Sequence, residues 1–283
     1  MAQEESVLRI GRNVFTNMWP VFHFLPDFLG TEAAMVSRVP TGINRAMAEG
    51  SIHIAAISSF AYAEHADQYD LLPGLSVSCY GAVNSILLYH RKPLHELRSA
   101  RVALPTTSAT SVNLLKIILQ KFYDCRPEYF YAAPDLDEMI KEADAALLIG
   151  DDAIRASWRE PPGLFVTDLG WLWLKHTGEW MTYAVWAVRR DTAAERPEQV
   201  RAVYEAFLAS KRKGYRNMDR IVGAAVREIG GTPDFWSMYF SRLSHDFDEP
   251  QQSGLSLFFR YARELGLLDR QISLRFWETP TAV

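Results

Sequence analysis

The 283-residue chain is poor in the residues that most often mark chemistry. It has two cysteines, Cys79 and Cys125, far apart in sequence. That is too few and too separated for a disulfide framework or a zinc site, so both read as free thiols of a reducing compartment. The seven histidines, His23, His53, His65, His90, His95, His176 and His245, show no HxxxH-type spacing, and no metal is expected. No apolar run approaches the ~20 residues that span a bilayer. Residues 1–6 are acidic and lack the basic start, apolar core and cleavage site of a secretory leader. A cytoplasmic protein without a membrane partner is the expectation. Lys+Arg number 30 against Asp+Glu 34, and the one basic run, Lys211-Arg212-Lys213, reads as a solvated helix end. Nothing in that balance favours a nucleic-acid partner. A P-loop, a GxGxxG turn and a Ser-His-Asp arrangement are also missing, which leaves hydrolase and redox readings unsupported and implies no cofactor.

What is present is an α/β grammar. Short apolar runs at residues 7–10, 35–39, 52–57, 75–78 and 85–90 alternate with helical patterns at 41–49 and 60–66. A polar segment, His90-Arg91-Lys92-Pro93, suggests a boundary. A second series follows, with strands at 101–104, 128–131, 145–149, 163–168 and 182–189 and helices at 108–122 and 136–142. From Pro197 onward the period is helical. The expected architecture is two α/β lobes with largely parallel sheets. Lobe 1 comprises residues 1–90 plus 190–283 and lobe 2 residues 91–189. A chain that crosses twice between such lobes makes a cleft, and such clefts bind small ligands at strand C-termini.

Four segments rich in small polar residues stand at the ends of strands: Asn17-Met18-Trp19-Pro20, Ile57-Ser58-Ser59, Tyr80 to Ser85, and Thr106-Thr107-Ser108-Ala109-Thr110-Ser111. Any one of them could be a helix N-cap. Several at one cleft would instead offer hydroxyls and free N–H groups to a carboxylate or phosphate. Gly150-Asp151-Asp152 would stand at the mouth of the second lobe, again as caps or as ligand contacts. The tryptophans of Trp171-Leu172-Trp173 and Trp180 to Trp186 read as packing, while Tyr183 could reach the cleft.

Taken together, these segments resemble the chorismate dehydratase family. The resemblance rests on Ile10-Gly11 with Asn17 and Pro20, Val39-Pro40 with Asn44-Arg45, Ile57-Ser58-Ser59 with Tyr62-Ala63, Ser85-Ile86-Leu87-Leu88, Ser108-Ala109-Thr110-Ser111, Ala145 to Ala153, Asp168-Leu169-Gly170 and Tyr183 to Arg189. It runs collinearly over about residues 7–270. It implies a type II periplasmic-binding-protein-like fold turned into a cytoplasmic hydro-lyase. The family converts chorismate to 3-[(1-carboxyvinyl)oxy]benzoate and water, the first step of futalosine-dependent menaquinone biosynthesis. The substrate's own enolpyruvyl carboxylate is thought to serve as base.

By that resemblance Asn17 would bond near the departing C4 hydroxyl and Ser85 would orient the enolpyruvyl carboxylate. Ser58, Ser59, Thr107 and Ser108 would hold carboxylates, with Gly150, Asp151 and Tyr183 completing the substrate site. Two positions depart from the family pattern. Ala61 stands where an acidic residue is common, and Asn84 where a basic one is common. Two alternatives share the architecture: a non-catalytic binding or sensor protein for a small anionic aromatic ligand, and the related naphthoate synthase, which is expected to use a histidine base. For the latter, His23 is the residue to inspect.

Overall fold

The computed structural model describes residues 7–278. The acidic residues 1–6, on which the expectation of a leaderless start rests, lie outside the described residues. The chain forms two mixed sheets. The first holds β1 (Leu8–Asn13), β2 (Ala33–Arg38), β3 (Ile54–Ser58), β4 (Tyr69–Cys79), β10 (Met181–Arg189) and β11 (Leu243–Ser244), in the order β11-β4-β10-β3-β1-β2. The second holds β5 (Ile86–His90), β6 (Arg101–Pro105), β7 (Glu128–Ala132), β8 (Ala145–Ile149) and β9 (Phe165–Asp168), in the order β7-β6-β8-β5-β9. Part of each sheet obeys the expected parallel grammar: β1 runs parallel to β2 and β3, and β6 to β7 and β8. The sheets are nevertheless mixed rather than largely parallel. β5 pairs antiparallel with β8 and β9, and β10 pairs antiparallel with β3 and β4.

Those two strands also move the crossings. β5 lies in the second sheet and β10 in the first, so the chain leaves the first sheet within residues 80–85 and returns between β9 and β10. It does not cross at His90 and Arg189, where the polarity of the sequence changes. The reason is local. His90 ends a wholly buried strand and bonds the Thr167 hydroxyl of β9. Arg189 is tied to Asp191 and to the carbonyl of Met47. Both polar segments are strand ends anchored within one sheet.

The helices are α1 (Trp19–Phe22), α2 (Pro40–Ala48), α3 (Ser59–Glu64), α4 (Ala109–Phe122), α5 (Leu136–Glu142), α6 (Gly150–Trp158), α7 (Leu169–Thr177), α8 (Arg190–Glu195), α9 (Pro197–Arg216), α10 (Met218–Glu228), α11 (Pro233–Arg242) and α12 (Glu249–Glu264). Their starts follow capping chemistry. Ser58 accepts from the Ala61 N–H, Ser108 from that of Ser111, and Asp168 from that of Trp171. Gly178, at φ 73°, ends α7 in the left-handed region.

Strand alternation divides the core. Along β5 and β8, Ile86, Leu88, Ala145, Leu147 and Ile149 join the large apolar cluster shared with the first sheet. Leu87, Tyr89, Ala146 and Leu148 face a second cluster under α5, with Leu136 and Met139. Of the tryptophans expected to pack, Trp173 and Trp186 are fully buried while Trp171 is exposed. Lys211 is not a solvated helix end. Its ammonium donates to the Gly74 carbonyl at 2.7 Å and to Asp246 at 2.6 Å, tying α9 to the turn in β4.

Helix α6, on the second sheet, is docked at both ends against elements that pack with the first. A Cβ built on Gly150 would lie 2.8 Å from the Phe15 ring. At the other end Trp158 meets Phe235 and Trp236 edge-on, with ring centroids 5.2 and 6.1 Å apart.

Candidate active site between the two sheets

A cleft lies where β1, β3 and β10 of the first sheet face β5, α4 and the start of α6. Its walls carry Asn17, Ser58, Ser85, Ser108, Gly150 and Tyr183. Six of the nine residues singled out from the sequence therefore converge there. The other three do not line it. The Ser59 hydroxyl is fully buried and donates to the Thr182 carbonyl at 2.8 Å, fastening α3 to β10. Thr107 lies outside the lining, and Thr110 and Ser111 take the place expected for it. Asp151 turns its carboxylate away from the cleft, toward Thr16.

The cleft is small and neutral. Its volume is about 60 Å³, and none of its described lining side chains is charged. The starts of four helices border it: Pro40 at the head of α2, the cap Ser58 of α3, the cap Ser108 of α4, and Gly150 at the head of α6. Neither α2 nor α6 has a side-chain cap, so N–H groups of their first turns lack a side-chain acceptor. Aligned helix starts supply positive potential without a formal charge.

Two lining residues carry a buried polar atom with no partner among the described residues: Asn17, at Oδ1, and Tyr183, whose hydroxyl lies behind the lining against Gly170. Buried groups of this kind are costly unless something bonds them. Burial pushes the Tyr183 phenol well above its ordinary range, helped by the nearby Cys79 and Asp168. It stays protonated and can donate. Ser85 is held from behind: the Tyr239 hydroxyl donates to its Oγ at 3.1 Å, and its carbonyl accepts from the Gly150 N–H at 2.7 Å. Ser58 is braced by the amide of Asn44, whose Nδ2 donates to its Oγ and whose Oδ1 accepts from its N–H. Thr110 bridges the two sheets by accepting from the Phe60 N–H at 3.0 Å.

Three residues absent from the sequence-based set support the site: Tyr239, Thr16 and His245. His245 is fully buried, and its Nε2 donates to the Asn17 carbonyl at 2.7 Å. The Tyr215 hydroxyl donates to its Nδ1 at 2.9 Å. Burial lowers its pKa to about 4, so it is neutral. Periodicity gives no signal for these contacts: Thr16 and Asp151, Ser85 and Tyr239, and Asn17 and His245 lie 135, 154 and 228 positions apart. His23 sits in a separate charged groove with Asp27, Arg220 and Arg227, outside the cleft. At the two departing positions, Ala61 is buried at the start of α3, and the Asn84 side chain accepts from Arg242.

Comparison with known proteins agrees with this architecture. The family model described as menaquinone biosynthesis matches residues 8–264. A chorismate dehydratase of Thermus thermophilus is 33% identical over 272 residues, covering 91% of this chain and 95% of that protein. Protein AF1704 from Archaeoglobus fulgidus superposes with a TM-score of 0.73 at 21% identity, covering 93% of this chain and 99% of that one. The periplasmic aliphatic sulphonate binding protein SsuA of Escherichia coli does so with a TM-score of 0.66 at 16% identity, over 98% and 94%. With its two mixed sheets flanking a cleft of neutral donors, the chain has the two-lobed fold of periplasmic binding proteins and belongs to the menaquinone biosynthesis family.

Proposed function

We propose that the protein is a chorismate dehydratase, a carbon–oxygen hydro-lyase that turns chorismate into 3-[(1-carboxyvinyl)oxy]benzoate and water. The observation that carries this reading is the cleft itself. It has no charged side chain among its described lining residues, it is bordered by four helix starts, and it is lined by Asn17, whose buried Oδ1 has no partner among the described residues. Such a site suits a substrate that brings its own charge and its own base.

Chorismate carries two carboxylates. Its C3 proton is acidified through the conjugated ring carboxylate. When the C3–H bond breaks, the proton passes to the enolpyruvyl carboxylate and the electron pair delocalises toward the ring carboxylate. The C4–O bond then breaks, the hydroxide takes up a proton to leave as water, and the ring becomes aromatic. The protein's share is orientation and stabilisation of the developing negative charge. Asn17 would bond the C4 hydroxyl, and Ser85, fixed by Tyr239, would orient the enolpyruvyl carboxylate. Ser58, Ser108, Thr110 and Ser111, with the starts of α2, α4 and α6, would receive carboxylate oxygens.

Cys79 and Cys125 are free and buried, which supports a reducing, cytoplasmic setting. The test is direct: incubate the protein with chorismate, follow loss of the diene absorbance and identify the product by mass. Saturable binding with no chemical change would replace this reading with that of a binding or sensor protein.

A further inference from the structure

Asp151 stands in the first turn of α6 on the second sheet, yet its carboxylate serves the first. Oδ1 accepts from the Thr16 hydroxyl and from the Thr16 N–H, the latter at 3.4 Å. Both residues are buried, and Lys and Arg are absent from the acid's described hydrogen-bond partners. Burial raises its pKa against the pull of Thr16 and the more distant Arg155. A buried carboxylate held by one hydroxyl and one amide is a costly way to join two surfaces. An apolar pair would serve stability as well, so the arrangement calls for a reason beyond stability.

The neighbour of Thr16 supplies one. Asn17 follows it directly, with its Oδ1 buried and unpartnered at the cleft. On its far side the Asn17 carbonyl is held by His245. A carbonyl only accepts, so His245 Nε2 carries the hydrogen and Nδ1 receives the Tyr215 hydroxyl. His245 is itself pinned, its carbonyl accepting from the Ser76 N–H and from Lys211. The backbone around Asn17 is thus fixed from two directions. His245 belongs to the first sheet's side, whereas Asp151 comes from across the cleft. The Phe15 ring, next to Thr16, also seats on Gly150, so the same short segment meets the head of α6 twice.

We infer that Asp151 is a positioning residue that fixes Thr16, and through it the amide of Asn17, only when the two sheets are drawn together. This rests on the chorismate reading for its kinetic consequence, though not for its structural one. Misplacing a reacting group by about 1 Å can cost about a hundredfold in rate. Asp151→Ala is expected to lower kcat by about that factor with KM for chorismate little changed, the pattern of an interaction made in the transition state. Asp151→Asn keeps an acceptor oxygen for the Thr16 hydroxyl and is expected to recover most of the loss. Thr16→Val should match Asp151→Ala, and the double variant should be no slower than the slower single one.

Wild-type kcat in Asp151→Ala, or single losses that multiply in the double variant, would overturn the inference. So would an Asp151→Asn variant that folds but is as slow as Asp151→Ala. A second measurement needs no substrate. Amide hydrogen exchange at residues 15–18 of the free protein should accelerate about tenfold or more in Asp151→Ala and Thr16→Val, and unchanged protection there refutes the inference. Absence of turnover by the wild-type protein would refute the chorismate reading alone and leave the exchange result to decide the role of Asp151.

Discussion

The groove between α12 and residues 271–276 has a volume of about 940 Å³ and carries Glu179, Glu249, Arg260 and Arg263. The cleft between the sheets has about 60 Å³ and carries no charge. Size and charge would both favour the groove. Its polar groups, however, face solvent and are satisfied by it: among the described residues none of its lining side chains holds a buried polar atom without a partner. In the cleft, Asn17 does. A ligand gains most where the protein has left bonds unmade and water has been excluded. Unmet hydrogen bonds at converging helix starts are therefore the better guide to where chemistry happens.

Four experiments would break or sharpen that contrast. The largest effect is expected at Asn17. Asn17→Ala should lower kcat for chorismate about 10²–10³-fold, the loss typical of removing one preorganised donor. Near-normal turnover would show that the unmet amide of the cleft has no part in the reaction.

The next concerns acid. His245, behind Asn17, has its pKa lowered to about 4 from 6.5. The folded state therefore binds fewer protons than the unfolded one between those values. The stability associated with neutral His245 is complete above pH 6.5 and is lost as pH falls toward 4, by about 3 kcal/mol in all. Urea midpoints measured from pH 7 to 4 should show this decline, and His245→Gln should flatten it. His53, half-buried beside Arg9 and also lowered to about 4, would leave a residual slope. An identical slope in the variant would remove His245 from the account.

Gly150→Ala is expected to be milder. The residue sits at φ 60°, and the new methyl would lie 2.8 Å from the Phe15 ring. About 1–3 kcal/mol of stability should be lost, together with some turnover, because the contact across the cleft is pushed open. Thermal melts and kcat on one preparation would check both. The smallest effect belongs to the groove. Arg260→Ala should leave kcat and KM for chorismate unchanged and stability within about 0.5 kcal/mol. A clear kinetic loss there would restore the larger cavity as a candidate.

How far the sequence foretells this depends on how local each contact is. Helix α5 and strand β8 lie where periodicity puts them, at Leu136–Glu142 and Ala145–Ile149. Ser58 and Ser108 are legible because a hydroxyl where a strand yields to a helix is a local signal. Asp151 shows the limit: its place at a helix start is legible, but the direction of its carboxylate is set by Thr16, 135 positions away. Tyr239 and His245 were out of reach for the same reason, since their partners Ser85 and Asn17 lie on other elements. Sheet membership of β5 and β10 fails differently. Both are buried along both faces, so burial holds no preference for one sheet over the other, and only the crossings decide.

The position of β10 also bears on how the chain acquires its structure. It is the strand between β3 and β4 in the first sheet, yet it follows all five strands of the second. During synthesis the second sheet can close from a contiguous stretch of chain, while the first waits with a gap at its centre. Until residue 189 has emerged, the apolar flanks of β3 and β4 stay unpaired, and unpaired strands of that kind invite association with other chains. Closing them ends a loop that contains the whole second sheet, a slow, non-local step. Refolding should therefore show a fast phase belonging to residues 86–168, followed by a slower one in which the cleft comes into being.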